Sequence, residues 1–133
     1  MRERPMGAQW EALFARVRES LIRGDNDAAE ESLRELESAA RAEANPRGPL
    51  RSLIEALFLL ERYEPAVAVC QKLLALEPDD ARAHEILAQI YYFEGRLPHA
   101  QHHAEQALAR NPLAPLATSV LGHVKKKLTA GRA

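Results

Sequence analysis

Apolar residues recur with the period of an α-helix in seven consecutive segments of this chain. Residues three or four positions apart lie on the same side of a helix, so this spacing predicts amphipathic helices. The predicted helices cover about 8–23, 27–42, 49–60, 64–76, 80–93, 97–109 and 113–129. The segment 66–70 is partly β-branched, but Leu73, Leu74 and Leu76 continue its helical face. No strand is therefore predicted.

Proline and acidic residues mark where these helices begin. Proline fits the first turn of a helix because its missing N–H has no partner there. Apolar helical patterns start at Pro49, Pro65, Pro98 and Pro115. The turn at 24–27, Gly-Asp-Asn-Asp, provides an acidic cap for the second helix, and Asp79 and Asp80 are suitable caps for the fifth.

A repeat of 34 residues underlies the helices, since Leu53, Leu87 and Leu121 are evenly spaced at that interval. The clearest copy has the motif Leu-Ala-x-x-Tyr at 87–91. It continues with Ala100, Ala104, Ala107 and Pro112. The copy upstream keeps Leu53, Leu57, Ala66, Cys70, Leu73 and Pro78. A period of this length predicts helical hairpins that stack on one another.

These motifs resemble the tetratricopeptide repeat (TPR) family. Residues 79–112 resemble one repeat, and 45–78 a second, with Glu61–Ala66 similar to the family's turn between helices. Residues 113–129 look like a further first helix that caps the C-terminus, and 8–44 like a diverged N-terminal hairpin. The flanking segments 1–7 and 130–133 are predicted to be a disordered N-terminus and a tail. The resemblance implies an all-α fold, a right-handed superhelical stack of antiparallel hairpins with about seven helices.

The resemblance also implies a binding surface, because the first helix of each hairpin in this family lines a concave groove that holds peptides. By repeat register, the groove residues here are Arg51, Glu55, Phe58, Arg82, Glu85, Gln89, Tyr92, Ser119, His123 and Lys126. We therefore expect a non-catalytic adaptor or chaperone-like protein that binds a peptide or a partner protein. The alternative is a self-associating scaffold, with contacts through Trp10 or Leu113–Leu116. For Trp10, packing within the first hairpin is the favoured interpretation.

One class of ligand is disfavoured by the predicted groove. Family members that bind acidic peptide C-termini use Lys, Arg and Asn from successive first helices. Here Glu55 and Glu85 accompany Arg51 and Arg82, and no Asn is in place. Carboxylates would repel a terminal carboxylate, so binding of a free C-terminus is not expected.

Charge and cysteine content narrow the remaining classes. The net charge is −1 with both signs interspersed, which argues against a nucleic-acid partner. Lys125-Lys126-Lys127 ends the last predicted helix and complements its dipole. A single cysteine, Cys70, is predicted to be buried and inert. With no membrane span and no signal-peptide core, a cytoplasmic protein is expected.

A metal site and an active site were considered and not predicted. His99 and His103 are one helical turn apart, a spacing that can bind Zn²⁺ or Ni²⁺, with His102 beside them. The repeat register places them on the solvated outer face, so they are interpreted as surface histidines. No phosphate loop, catalytic triad or paired carboxylates are recognised. We expect no enzymatic activity and no cofactor.

Overall fold

The computed structural model describes residues 8–131, which form seven α-helices and no strand. The helices are α1 (Ala8–Ile22), α2 (Asn26–Ala42), α3 (Arg47–Leu59), α4 (Tyr63–Leu76), α5 (Ala81–Phe93), α6 (Leu97–Arg110) and α7 (Pro115–Ala130). The all-α prediction is confirmed, and helix ends differ from the predicted ones by at most two residues. The predictions for residues 1–7, 132 and 133 lie outside the described residues.

The predicted caps are found at two helix starts. The side chain of Asp25 accepts a hydrogen bond from the backbone N–H of Ala28 and caps α2. Asp80 accepts one from Ala83 and caps α5. These bonds satisfy amides in the first turn that have no partner within the helix. Asp79, the other predicted cap, instead pairs with Arg110 of α6 at 2.6 Å.

The chain forms two compact units, one extending to Lys72 and the other starting at Leu73, with the boundary within α4. In the first unit, α1 packs against α2 and α3, and α2 also packs against α3. Trp10 lies against the start of α3, where a Cβ added to Gly48 would come within 2.7 Å of Trp10 Cδ1. Trp10 is thus a half-buried packing residue, but its contact is with α3 and not, as had been predicted, within the first hairpin. Cys70 is buried, as predicted.

In the second unit, α5, α6 and α7 each pack against the other two. The side of α6 that is buried consists of small residues, Ala100, Ala104 and Ala107, which are all 0% exposed. On α5, Ala83 and Ala88 are buried as well. Small side chains let helix axes approach closely, because the interior is packed at the density of an organic crystal.

The three turns within hairpins share one geometry. In each turn a residue at positive φ follows the helix, namely Gly24 (76°), Glu61 (58°) and Gly95 (77°). Each turn also has the same two backbone bonds, illustrated by Arg62 N–H to Leu57 O and Glu61 N–H to Phe58 O. This is the Schellman ending of a helix, which favours glycine because a Cβ is strained at positive φ. The second turn has glutamate where the other two have glycine.

We expect Glu61→Gly to raise the free energy of unfolding by about 1 kcal/mol, because it relieves the strain of a left-handed backbone. Urea denaturation followed by circular dichroism measures the change. The matched control is Glu64→Gly in the first turn of α4, which is exposed. That change is expected to lower stability by up to about 1 kcal/mol, since glycine disfavours a helix. Destabilisation by Glu61→Gly would contradict the prediction.

Candidate functional site

Helix α5 contacts a different helix on each of two adjoining sides. His84 and Tyr91 are directed towards α6, where their rings contact His103. The residues that follow them in sequence, Glu85 and Tyr92, contact α7. Because 84 and 91, like 85 and 92, are seven positions apart, each pair lies along one side of the helix. Helix α5 therefore connects the α6 contacts to the α7 contacts.

Glu85 holds the N-terminus of α7. Its Oε2 accepts hydrogen bonds from the backbone N–H groups of Leu116 at 2.8 Å and Ala117 at 3.0 Å. Its Oε1 accepts one from Arg82 at 3.0 Å. No side chain caps α7 from its own N-cap position, Ala114. Glu85 thus supplies from α5 the cap that an Asp or Ser at 114 would otherwise provide.

The assignment of Glu85 to an open groove is corrected by these contacts. The residue is 4% exposed and all three of its bonds are internal, so its carboxylate is not presented to a ligand. Its negative charge is also compensated locally, by Arg82 and two amides. The argument against binding a terminal carboxylate therefore rests on Glu55 and the missing Asn alone. The sequence signal for this role is the absence of a capping residue before Pro115.

Tyr92 forms the second contact between α5 and α7. Its ring centroid lies 5.7 Å from that of His123. Lys127 Nζ lies over the same ring, 4.8 Å from the centroid, in a cation–π contact. Since Glu85 meets 116 and 117 while Tyr92 meets 123 and 127, α5 and α7 run in the same direction.

These contacts bring part of the predicted site together on one surface, which we call the α5–α7 face. On α5, Arg82 is exposed, and Gln89 and Tyr92 are half-buried. On α7, the side chains of this face are all exposed: Ser119, His123, Lys126 and Lys127. The predicted site contained Lys126 but not Lys127. Lys127 is nevertheless the lysine of the basic run that contacts Tyr92. Because Arg82 and Glu85 neutralise each other, the net charge of this face comes from Lys126 and Lys127 and is positive.

The predicted site residues of the first unit share one side of α3. Arg51 is exposed, while Glu55 and Phe58 are half-buried. The ring of Phe58 lies 6.0 Å from that of Tyr63, at the start of α4. A ligand-binding role for these three residues stays a prediction.

The interpretation of His103 as a solvated surface histidine is wrong. Its ring is half-buried, stacked on His84 at 5.2 Å and on Tyr91 at 5.6 Å. Burial, and then the neighbouring His84, His102 and His99, lower the pKa of His103 to about 4. His99 and His102 are exposed, as predicted. The sequence analysis did not single out His84, although it is seven positions before Tyr91 and therefore lies on the same side of α5.

Three further observations concern the other predicted features. Within residues 8–131, no three His, Cys, Asp or Glu side chains are arranged to hold a metal ion. None of the described helices has both the length and the apolar character required to cross a membrane. Of the two predicted self-association contacts, Trp10 packs within its own unit, whereas Leu113 is 86% exposed.

Solved structures resemble this chain over nearly its whole length. The first TPR of Spaghetti (RPAP3), bound to the HSP90 peptide SRMEEVD, has a TM-score of 0.72 and 18% identity, over 90% of this chain and 93% of that one. The first TPR domain of human RPAP3 has the same TM-score and identity, over 93% and 95%. PcrH from Pseudomonas aeruginosa has a TM-score of 0.63 and 17% identity, over 99% and 97%. At such identities the likeness establishes the fold.

Sequence comparison identifies the family directly. No curated protein matches the chain significantly over its sequence. The profile of the tetratricopeptide repeat matches residues 20–90, which is more than half of the 133 residues. This match begins at the end of α1 and includes α2, α3, α4 and most of α5. Together with the seven helices and the shared hairpin turns, it shows that the chain belongs to the tetratricopeptide repeat family.

Proposed function

We propose that this chain is a non-catalytic protein-interaction module that binds a peptide, or a segment of a partner protein, on the α5–α7 face. The observation that carries the proposal is the position of Tyr92, whose half-buried ring contacts two exposed side chains, those of His123 and Lys127. An aromatic ring that is fixed by its neighbours and surrounded by exposed polar side chains is typical of interaction surfaces. An adaptor or chaperone-like role in the cell is part of this proposal.

The chemistry of the face favours an acidic segment with an apolar side chain. Lys126 and Lys127 provide positive charge beside Tyr92, against which an apolar group can pack. The domain from Spaghetti (RPAP3), which has the same fold, binds an HSP90 peptide with three acidic residues in its printed sequence. The lack of enzymatic activity and the cytoplasmic location remain predictions from the sequence.

We expect acidic seven-residue peptides on an array, each with one aromatic or leucine residue, to bind the wild-type chain. For the best binder, Tyr92→Ala and Lys126→Glu are each expected to raise the Kd at least about tenfold, the loss of one good contact. Fluorescence anisotropy with the labelled peptide measures this.

Two controls make the result specific. Lys72→Glu makes the same change of charge at an exposed lysine of α4, a helix that contributes no residue to the α5–α7 face, and is expected to leave the Kd unchanged. Circular dichroism of each variant checks that the helices persist. Equal binding by wild type, Tyr92→Ala and Lys126→Glu would refute this location of the site, as would an array without any binder.

A further inference from the structure

Two histidines form a hydrogen-bonded pair between α5 and α6. Nδ1 of His84 lies 3.0 Å from Nδ1 of His103, and Nε2 of His84 lies 2.9 Å from the carbonyl oxygen of Pro78. A carbonyl oxygen only accepts, so His84 carries its proton on Nε2 and donates it to Pro78. Nδ1 of His84 is then the acceptor, and His103 donates from its own Nδ1. The pair at neutral pH therefore has one defined arrangement of protons.

The surroundings of this pair are basic or neutral. On α5, Tyr91 stacks against the His103 ring, and Arg96, the N-cap residue of α6, lies over the Tyr91 ring at 4.8 Å from its centroid. On α6, His102 packs edge-on against His103 at 5.0 Å. His99 lies 5.4 Å from the Tyr91 ring. Every side chain named here except Tyr91 is able to carry positive charge, so none of them favours a proton on His103.

The nearby carboxylates are engaged elsewhere. In the loop before α5, Asp79 pairs with Arg110, and Asp80 caps α5 through Ala83. Glu85 is directed to α7. The residues that α7 buries are apolar, namely Ala117, Val120 and Val124. Among the described residues, the charged groups that act on His103 are His84, His102 and His99, and no carboxylate is among them. An added proton on His103 therefore meets repulsion from these neighbours.

Protonation opposes this contact whichever ring receives the proton. A proton on Nε2 of His103 places a positive charge on a half-buried ring beside other basic groups. A proton on Nδ1 of His84 directs two N–H groups at each other across 3.0 Å. We propose that the His84–His103 pair is a pH-sensitive latch, which holds α6 against α5 at neutral pH and opens on acidification.

The direction of the effect follows from the pKa of His103, which is about 4 in the folded chain against an ordinary value of 6.5. Between these values the unfolded chain binds more protons than the folded one. The contribution of His103 to the free energy of unfolding is therefore fully present above about pH 6.5 and is lost as the pH decreases towards 4. Because α7 packs against both α5 and α6, opening of the latch is expected to loosen the whole second unit.

The proton arrangement is tested first, on the full-length wild-type chain labelled with ¹⁵N-histidine. Long-range ¹H–¹⁵N spectra near pH 7.5 are expected to show the Nε2–H tautomer for His84 and the Nδ1–H tautomer for His103. On acidification, His103 is expected to titrate below about pH 5, together with shifts of the α5 and α6 amide signals. Titration of His103 near its ordinary pKa of about 6.5, or without those shifts, would overturn the latch.

The second test compares urea denaturation at about pH 7 and pH 4.5. His103→Gln keeps a hydrogen-bond donor for His84 but cannot take up the proton. Between the two pH values, the unfolding equilibrium constant of the wild type is expected to rise at least about tenfold more than that of His103→Gln, after allowance for the half-exposed ring. The control His102→Gln removes an exposed neighbour that lowers the pKa of His103 less than burial does, so it should keep most of the wild-type pH dependence. Equal pH dependence in the wild type and His103→Gln would overturn the proposal.

Discussion

Replacement of Glu85 by alanine is expected to lower the free energy of unfolding by about 2–4 kcal/mol. The change removes the acceptor for the amides of Leu116 and Ala117 and for the guanidinium of Arg82. A buried N–H group that has lost its acceptor is no longer compensated for its lost contact with water. The resulting loss of stability is larger than the net stabilisation that the hydrogen bond provided. The loss of a negative charge at the N-terminus of α7 adds to the effect. Urea denaturation monitored by circular dichroism measures it.

A local cap is expected to restore part of this stability. In the double variant Glu85→Ala/Ala114→Ser, a serine at the N-cap can accept from the same first-turn amides and recover about 1 kcal/mol. The matched control is Glu105→Ala, which removes an exposed glutamate from α6 and should change stability by less than about 0.5 kcal/mol. If Glu85→Ala is no more harmful than Glu105→Ala, the capping role assigned to Glu85 is wrong.

Enlargement of Ala104 to leucine is expected to destabilise the chain by about 3 kcal/mol or more. Ala104 is 0% exposed, between two other fully buried alanines on the side of α6 that packs in the second unit. A leucine there must separate the helices or take a strained rotamer, because a densely packed interior has no room for three further carbon atoms. Helix propensity does not contribute, since leucine is nearly as favourable as alanine.

The control for this substitution is on the same helix. Ala109 is exposed, so Ala109→Leu makes the same chemical change without the packing conflict. Its effect should stay within about 0.5 kcal/mol. Circular dichroism reports on all helices, while the fluorescence of Trp10, the single tryptophan, reports on the first unit. Similar denaturation curves for the two leucine variants would contradict the close packing of α6.

The elements and their order are predictable from local patterns in this chain. Each helix shows its own apolar period, and the start of several is marked by a proline or an aspartate, as at Asp25 and Asp80. The repeat register also placed Tyr92 and His123 in one site, and their rings are in contact. Such predictions succeed because they need only the geometry of a single helix and the spacing of equivalent residues.

Glu61 shows an intermediate case. The repeat pattern predicted a turn there, at the position that corresponds to Gly24 and Gly95. That the backbone of a glutamate takes a positive φ became evident from the structure. The helix ends around it impose the turn, and the residue adopts the backbone conformation that the turn requires.

The roles of Glu85 and His103 could not be predicted from their own helices, because each role is set by contacts with a neighbouring helix. Periodicity states which side of α5 or α6 a residue occupies, but not which groups of another helix lie opposite that side. Glu85 became a cap because the uncapped start of α7 lies against it, and His103 became half-buried because α5 presents His84 and Tyr91 there. The order of residues along the chain was thus enough to predict the helices, the hairpins and the family resemblance. Tertiary structure decided which polar side chains hold helices together and which remain for a partner, because burial and hydrogen bonding are properties of the contact between helices.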